Sequence, residues 1–367
     1  MSKLYPFEPD WQVTPGEVIQ DFLERYGMTQ SDFAERLGLS QKHVNEIING
    51  KAPITLQTSV LISRVLGGEY DYWLRLQQLC DREKIRLSEN NQQYKYFLEA
   101  EPIRELIRRG CIDYVSGRDT VDKGVDSALR FFKASTVHVL RSQFPENTRL
   151  RQSAKVKSDP LALLCWLRCC ELECEKIECQ DYDESKFRET LQNIRSMTPH
   201  PPENFFGLIQ KMCAECGVAV AAVPEFKNAA VNGAAQWRGK NAFIMMNLRG
   251  KFADIFWFSF FHEAGHILKG SKKFQYIEGG WKSRKEYDQQ QLDREEKKAD
   301  DFARDFLIPT RFRAELPHLK TGSQIVAFAE KVGVHPCIVV GRLQNDKIVG
   351  RDRFNKLRPR FSWGRES

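Results

Sequence analysis

Along the first ninety residues, apolar positions recur three or four apart in short runs that end at glycine. Val18, Ile19, Phe22 and Leu23 form one stripe, with Pro15 in its first turn and Gly27 at its end. Phe33, Ala34 and Leu37 form a second, opened by Thr29 with Asp32 three residues on and closed by Gly38. Val44, Ile47 and Ile48 form a third, opened by Ser40 and closed by Gly50. The pattern predicts five helical segments between Pro15 and about Ile85. The third differs from the others in carrying Gln41, Lys42, His43, Asn45 and Glu46 on its remaining surface. A helix, a three-residue turn and a second helix with an amide-rich and basic face is what major-groove reading requires, because Gln, Asn and Lys match the donors and acceptors on base edges.

From 90 to 200 the pattern stays mostly helical, and PHPPENF at 199–205 interrupts it. Beyond that break, GVAVAAVP at 217–224 reads as a strand. GAAQW and AFIMMN, joined through Arg238, Gly239, Lys240 and Asn241, read as a hairpin. A long apolar helix follows from Asp254 to about Gly270, and later an acid-rich one, DREEKKADDFARDFLIP. The expected fold is mainly α: a five-helix helix-turn-helix domain over 1–90, a helical connector over 91–198, an α+β domain over 199–350, and a basic tail over 351–367. The segment FAEKVGVHPCIVV at 328–340 echoes FAERLGLSQKHVN at 33–45, but replaces the polar face with Cys337, Ile338, Val339 and Val340. The later copy should therefore be buried.

The length of 367 residues agrees with two or three units. No run of 18 uncharged apolar residues is present to cross a bilayer, and the opening MSKLYPFEPDWQ lacks the apolar core of an export signal, so a cytoplasmic location is expected. In that compartment the ten cysteines should be thiols. Cys165, Cys169, Cys170 and Cys174 read as small apolar positions of a helix rather than as a metal or redox cluster; Cys213 and Cys216 have CxxC spacing with nothing nearby to complete a zinc set. The net charge of +7 fits a nucleic-acid partner in sum but not in distribution. Residues 1–88 hold 10 basic and 12 acidic side chains, whereas 341–367 hold 8 and 3. The DNA reading therefore rests on the shape and polar face of one helix, and the basic tail is expected to be mostly solvated.

The strongest chemistry lies in FWFSFFHEAGHILKG. His262 and His266 are four residues apart and leave one helix face together, with Glu263 beside them. Zinc hydrolysis needs two neutral imidazoles, a third ligand, an open position for water, and a carboxylate to take that water's proton. The motif supplies the imidazoles and the carboxylate. In the acid-rich helix, Glu296 and Asp300 are one turn apart, beside a stripe of Ala299, Phe302, Ala303 and Phe306. Glu296 is the expected third ligand, with Glu295 its rival, and Asp300 the expected partner of a ligating histidine's other nitrogen. Tyr276, Tyr287 and His318 are candidates, by residue type alone, to stabilise an oxyanion.

Two resemblances sharpen this. TQSDFAERLGLSQKHVNEIINGK, residues 29–51, resembles the xenobiotic-response-element family of phage-repressor-like helix-turn-helix domains. That likeness implies phosphate contacts from Gln30 and Lys51, base-facing roles for Gln41, Lys42, His43 and Asn45 after the Ser40 cap, an operator in double-stranded DNA, and a homodimer. FWFSFFHEAGHILKG, EKKADDFARDFLIP and AFAEKVGVHPCIVVGRLQND together resemble the ImmA/IrrE zinc metallopeptidase domains, and the whole chain is similar to long HigA-type antitoxin regulators. Implied are a minimal, gluzincin-like zincin fold, a bound Zn²⁺, Glu263 as general base, a peptide or protein substrate held along an edge strand of the hairpin, and a toxin partner. Lys298 departs from that family's pattern, in which an acidic residue often precedes the alanine. The competing reading is a regulator whose zincin-like domain senses metal, a ligand or a protein without cutting anything.

Overall fold

The structure, a computed structural model, describes residues 13–88, 91–142, 159–247, 252–269, 275–277 and 289–361. The chain divides into two compact units, Met1–Tyr96 and Phe97–Ser367.

The first unit contains the five expected helices: α1 (Pro15–Arg25), α2 (Gln30–Leu37), α3 (Gln41–Ile48), α4 (Leu56–Leu66) and α5 (Tyr70–Ser88). Thr14 and Thr29 cap α1 and α2 through reciprocal boxes with Glu17 and Asp32, and the Ser40 hydroxyl accepts the His43 amide to open α3. The three apolar stripes meet Ile54, Ile62, Leu66 and Trp73 in one core. α1 crosses α3 so closely that a β-carbon at Gly16 would lie 1.8 Å from the Ile48 carbonyl oxygen, and only glycine fits there. Gly38 turns the chain between α2 and α3 with φ +68°, a left-handed conformation that costs glycine nothing.

After α6 (Asn91–Glu99), within which the two units divide, come α7 (Glu101–Arg108), α8 (Val121–Phe132), α9 (Val137–Ser142), α10 (Pro160–Glu175), α11 (Glu184–Met197) and α12 (Phe205–Ala214). The sheet follows, comprising β1 (Val218–Ala222), β2 (Gly233–Arg238), β3 (Asn241–Met246) and β4 (Gln275–Ile277) in the order β1-β3-β2-β4. β2 and β3 form the expected hairpin, with Gly239 at φ +62° in its turn; β1 runs parallel to β3, and β4 pairs antiparallel with β2. Val218, Val220, Ala242, Ile244 and Met246 alternate along their strands into one core with Phe256, Trp257, Phe260 and Phe261. Those aromatics belong to α13 (Ala253–Lys269), which α14 (Gln289–Leu307) flanks; α15 (Gly322–Val332) and α16 (Pro336–Asn345) close the unit. The structure is thus mainly helical with one small sheet.

The fold departs from the sequence-based expectation in the connector and the hairpin, and refines it in the tail. Residues 91–198, expected as a connector, do not form a separate unit: the division falls within α6, and α10 packs against β1 and β3. The Trp166 indole donates to the Val223 carbonyl at 3.1 Å, and Leu163, Cys165, Trp166, Leu167 and Cys170 are all buried, so the helix is enclosed on nearly every side. The cysteines of α10 occupy small apolar positions in that packing. Neither strand of the hairpin is an edge, since β2 and β3 are both interior to the sheet, with β4 covering β2 at Ala234, Ala235 and Gln236. Lastly, the C-terminal segment, exposed at most positions from Arg351 to Arg360 as expected, is nonetheless anchored through Arg358 and Phe361. Phe361 stacks among Phe205, Phe256 and Trp257, and Arg358 grips Asp254 with its Nε and Nη2 at 2.9 and 2.8 Å.

The echo of α2 and α3 is physical as well as textual. Gly333 makes the same left-handed turn at φ +74°, His335 stands where Ser40 stands and caps α16, and Cys337, Ile338, Val339 and Val340 are buried as expected. Among the described residues no single helix is long and apolar enough to cross a membrane.

The Arg358–Asp254 pair supports the packing of the last segment on α13. Both side chains are at least nine-tenths buried, so removing one leaves the other charged and desolvated. Arg358→Ala should destabilise the second unit by about 3–5 kcal/mol, lowering its melting temperature by on the order of 10 °C in a calorimetric scan. An unchanged transition would show the pair to be dispensable.

Candidate metal centre and nucleic-acid interface

The metal-site candidates converge where α14 lies against α13. Gly265, between the two histidines, permits the approach: a β-carbon there would lie 3.0 Å from the Phe302 ring and 3.2 Å from the Ala299 Cα. This contact, together with burial of Ala299 and Ala303, turns Glu296 and Asp300 toward the histidines. The Glu296 carboxylate lies 3.4 Å from His262 Nε2 and 3.5 Å from His266 Nε2, and the two Nε2 atoms are 3.1 Å apart. A tetrahedral zinc with bonds of about 2.1 Å to nitrogen and oxygen separates its ligand atoms by about 3.4 Å. His262, His266 and Glu296 thus have the donor chemistry and spacing to hold such an ion. Glu295, the rival ligand, instead pairs with Lys298 at 2.8 Å.

Asp300 Oδ1 lies 3.0 Å from His262 Nδ1, which favours the tautomer that leaves Nε2 free to ligate. Glu263 is fully buried, and its side chain lies over β2 at Gly233. A β-carbon at Gly233 would stand 2.9 Å from both Cγ and Oε1 of Glu263, so the glycine makes room for the carboxylate. Sequence reasoning missed this residue; the one trace was a glycine at the start of the strand GAAQWR. His318 is exposed at the end of a 3-10 segment, Thr310–His318. The side chain of Tyr276 and all of Tyr287 lie outside the described residues.

In the first unit, Gln41, Lys42 and Asn45 are exposed on α3 and His43 is partly so; Lys51 is exposed just beyond it. Asn45 Nδ2 donates to Gln30 Oε1 at 3.3 Å, joining the start of α2 to the polar face of α3. Glu46 lies 4.0 Å from Lys42 and 3.8 Å from His43, and offsets part of the lysine's charge. The Ser40 hydroxyl is engaged in capping.

Residues 19–73 match the helix-turn-helix family model, so the first unit is a helix-turn-helix domain of the DNA-binding kind. Among solved structures, the chain is similar to an antidote protein of a plasmid maintenance system from Nostoc punctiforme PCC 73102, with 33% identity over 24% of this chain and 94% of the other and a TM-score of 0.22. It is also similar to an addiction module antidote protein of a HigA family from Coxiella burnetii, with 25% identity over 23% and 91% of the two chains and a TM-score of 0.21. The antitoxin HigA of Pseudomonas aeruginosa, solved with the higBA promoter, is 20% identical over 22% and 90%, with a TM-score of 0.21. Among the curated proteins none matches.

One thiol stands apart from the buried cysteines. A hydrogen bond from the Cys169 thiol lowers Cys111 to about 7, while burial and its neighbours push Cys165, Cys170 and Cys174 up. Cys111 is also the more accessible. With limiting iodoacetamide, peptide mass spectrometry should find Cys111 alkylated well before the thiols of α10, with a half-maximal rate near pH 7. Earlier labelling of Cys165 or Cys170 would contradict this order.

Proposed function

We propose that this chain is a DNA-binding regulator of the antitoxin or phage-repressor kind whose second unit is a zinc-dependent peptidase with a minimal zincin fold. The observation that carries the enzymatic half is the convergence of His262, His266 and Glu296 beside the buried Glu263. His262, His266 and Glu296 would hold a zinc ion, which would supply Lewis acidity to the reaction. Glu263 is the general base, placed by Gly233 and screened from bulk water. It accepts the proton of the attacking water and returns it to the leaving amine. Asp300 holds the His262 ring in its ligating tautomer and is a positioning residue.

The retained carboxylate at 263 favours an enzyme over a sensor, since a purely structural zinc site has no use for a buried base. The regulatory half is supported by the helix-turn-helix match and by the exposed face of α3. On this reading Gln41, Lys42, His43 and Asn45 face bases, Gln30 and Lys51 meet phosphates, and the protein acts as a homodimer on paired half-sites. A toxin is a further proposed partner.

Purified wild-type protein should carry about one zinc per chain, and His262→Ala and Glu296→Ala should each lose most of it. Glu263→Gln should keep the metal yet cleave a peptide library about 10²–10⁴-fold more slowly, as read by mass spectrometry. Full zinc occupancy in the ligand variants would refute the ligand set, and unimpaired cleavage by Glu263→Gln would remove Glu263 as the base.

For the first unit, selection from random duplexes should return a motif with wild type that Gln41→Ala with Asn45→Ala blurs, at about 1–3 kcal/mol for each lost base contact. Lys51→Ala should weaken all sequences alike and flatten the salt dependence by about one counterion. A motif that survives the double substitution would remove α3 as the reading helix.

A further inference from the structure

A cavity of about 570 Å³ opens beside the metal centre, and neither the ligands nor the base accounts for it. Its walls begin one step from that centre on three elements. Phe258 and Ser259 precede His262 and Glu263 by one turn of α13, Arg304 follows Asp300 by one turn of α14, and Asn232 precedes Gly233. The Phe258 and His262 ring centroids are 6.1 Å apart, so the cavity and the histidine face adjoin.

Four arginines line this space, Arg304, Arg342, Arg351 and Arg358, against one lining carboxylate, Asp254. Arg358 and Asp254 neutralise one another. Arg304 meets Asp301 through Nη2 at 3.0 Å, and Arg342 meets Asp346 through Nε at 2.5 Å. Each guanidinium has five N–H donors, so these pairs leave several unspent. Arg351 forms no ion pair among the described residues, which gives the lining a net positive charge. The Arg342 side chain is only 9% exposed, where low-dielectric walls strengthen its attraction for an anion. Ile255, Phe258 and Ile338 supply apolar walls for a short aliphatic stem. This combination selects a carboxylate carried on methylene groups.

One helical turn advances about 5.4 Å, and an extended chain about 3.3–3.6 Å per residue. We propose that the cavity receives an acidic side chain, glutamate above all, one or two residues from the peptide bond presented to Glu263. The proposal names the substrate class of the peptidase and rests on that reading of the site.

The test uses full-length Glu263→Gln protein with its metal and two fluorescein-labelled alanine pentapeptides, one bearing a single Glu and the other Gln at that position. Anisotropy should show the Glu peptide bound at least about tenfold tighter, and Arg304→Gln with Arg351→Gln should cut that preference to about threefold or less without shifting the melting curve. Equal binding of the two peptides, or a preference that survives the double substitution, overturns the proposal. Free glutarate that raises the melting temperature while the Glu peptide fails to bind also overturns it, by identifying a small carboxylate as the ligand. Wild-type protein then separates the two readings. Cleavage of both peptides at one rate rejects the cavity assignment and leaves the peptidase standing; Glu-selective binding with no cleavage of either rejects the peptidase and leaves acidic-peptide recognition intact.

Discussion

The close approach of α14 to α13 at Gly265 is the constraint on which the second unit's chemistry depends. Two histidines a turn apart on one helix define only a face. The third donor must come from another element, held to within a fraction of an ångström, and side chains larger than glycine and alanine at 265 and 299 would hold the helices apart. The same contact carries Asp300 onto His262 Nδ1, so one packing event brings both carboxylates to the histidines. The sheet serves the site from the other side, where Gly233 gives the Glu263 carboxylate its room.

The two helix-turn-helix-like segments show how little backbone geometry alone decides. α2–α3 and α15–α16 share a left-handed glycine in the turn and a capped second helix, yet one second helix exposes Gln41, Lys42 and Asn45 while the other buries Cys337, Val339 and Val340. What separates a surface able to read DNA from a piece of core is the polarity of one helix face, written residue by residue. Bulk charge would have pointed the wrong way, because the helix-turn-helix region is slightly acidic and the basic excess lies elsewhere.

Features fixed by local rules were legible in the sequence. The caps at Thr29 and Ser40, the glycine turns and the pairing of His262 with His266 all follow from spacings of three or four residues. The spacing of Glu296 and Asp300, one turn apart, was also legible, and it is these two acids that lie near the histidines. Features that depend on distant partners were not legible. Arg358 finds Asp254 across 104 residues, α10 covers a sheet that begins more than forty residues later, and β4 is three residues long, too short to announce that it makes the hairpin an interior pair. The arginine-lined cavity is assembled from several segments, each of which reads alone as an ordinary charged surface.

The burial of Glu263 is the clearest departure from what folding alone would favour. A carboxylate at 0% exposure on a helix otherwise filled by Phe256, Trp257, Phe260 and Phe261 carries a desolvation cost that an alanine or leucine would avoid. Gly233 adds to that cost, since a glycine within a strand gives up side-chain packing and backbone entropy to accommodate the acid. Two unfavourable choices that fit one another, on different elements, are hard to account for by stability. They fit the proposed reading of Glu263 as a base, because low-dielectric surroundings would keep such a base dry.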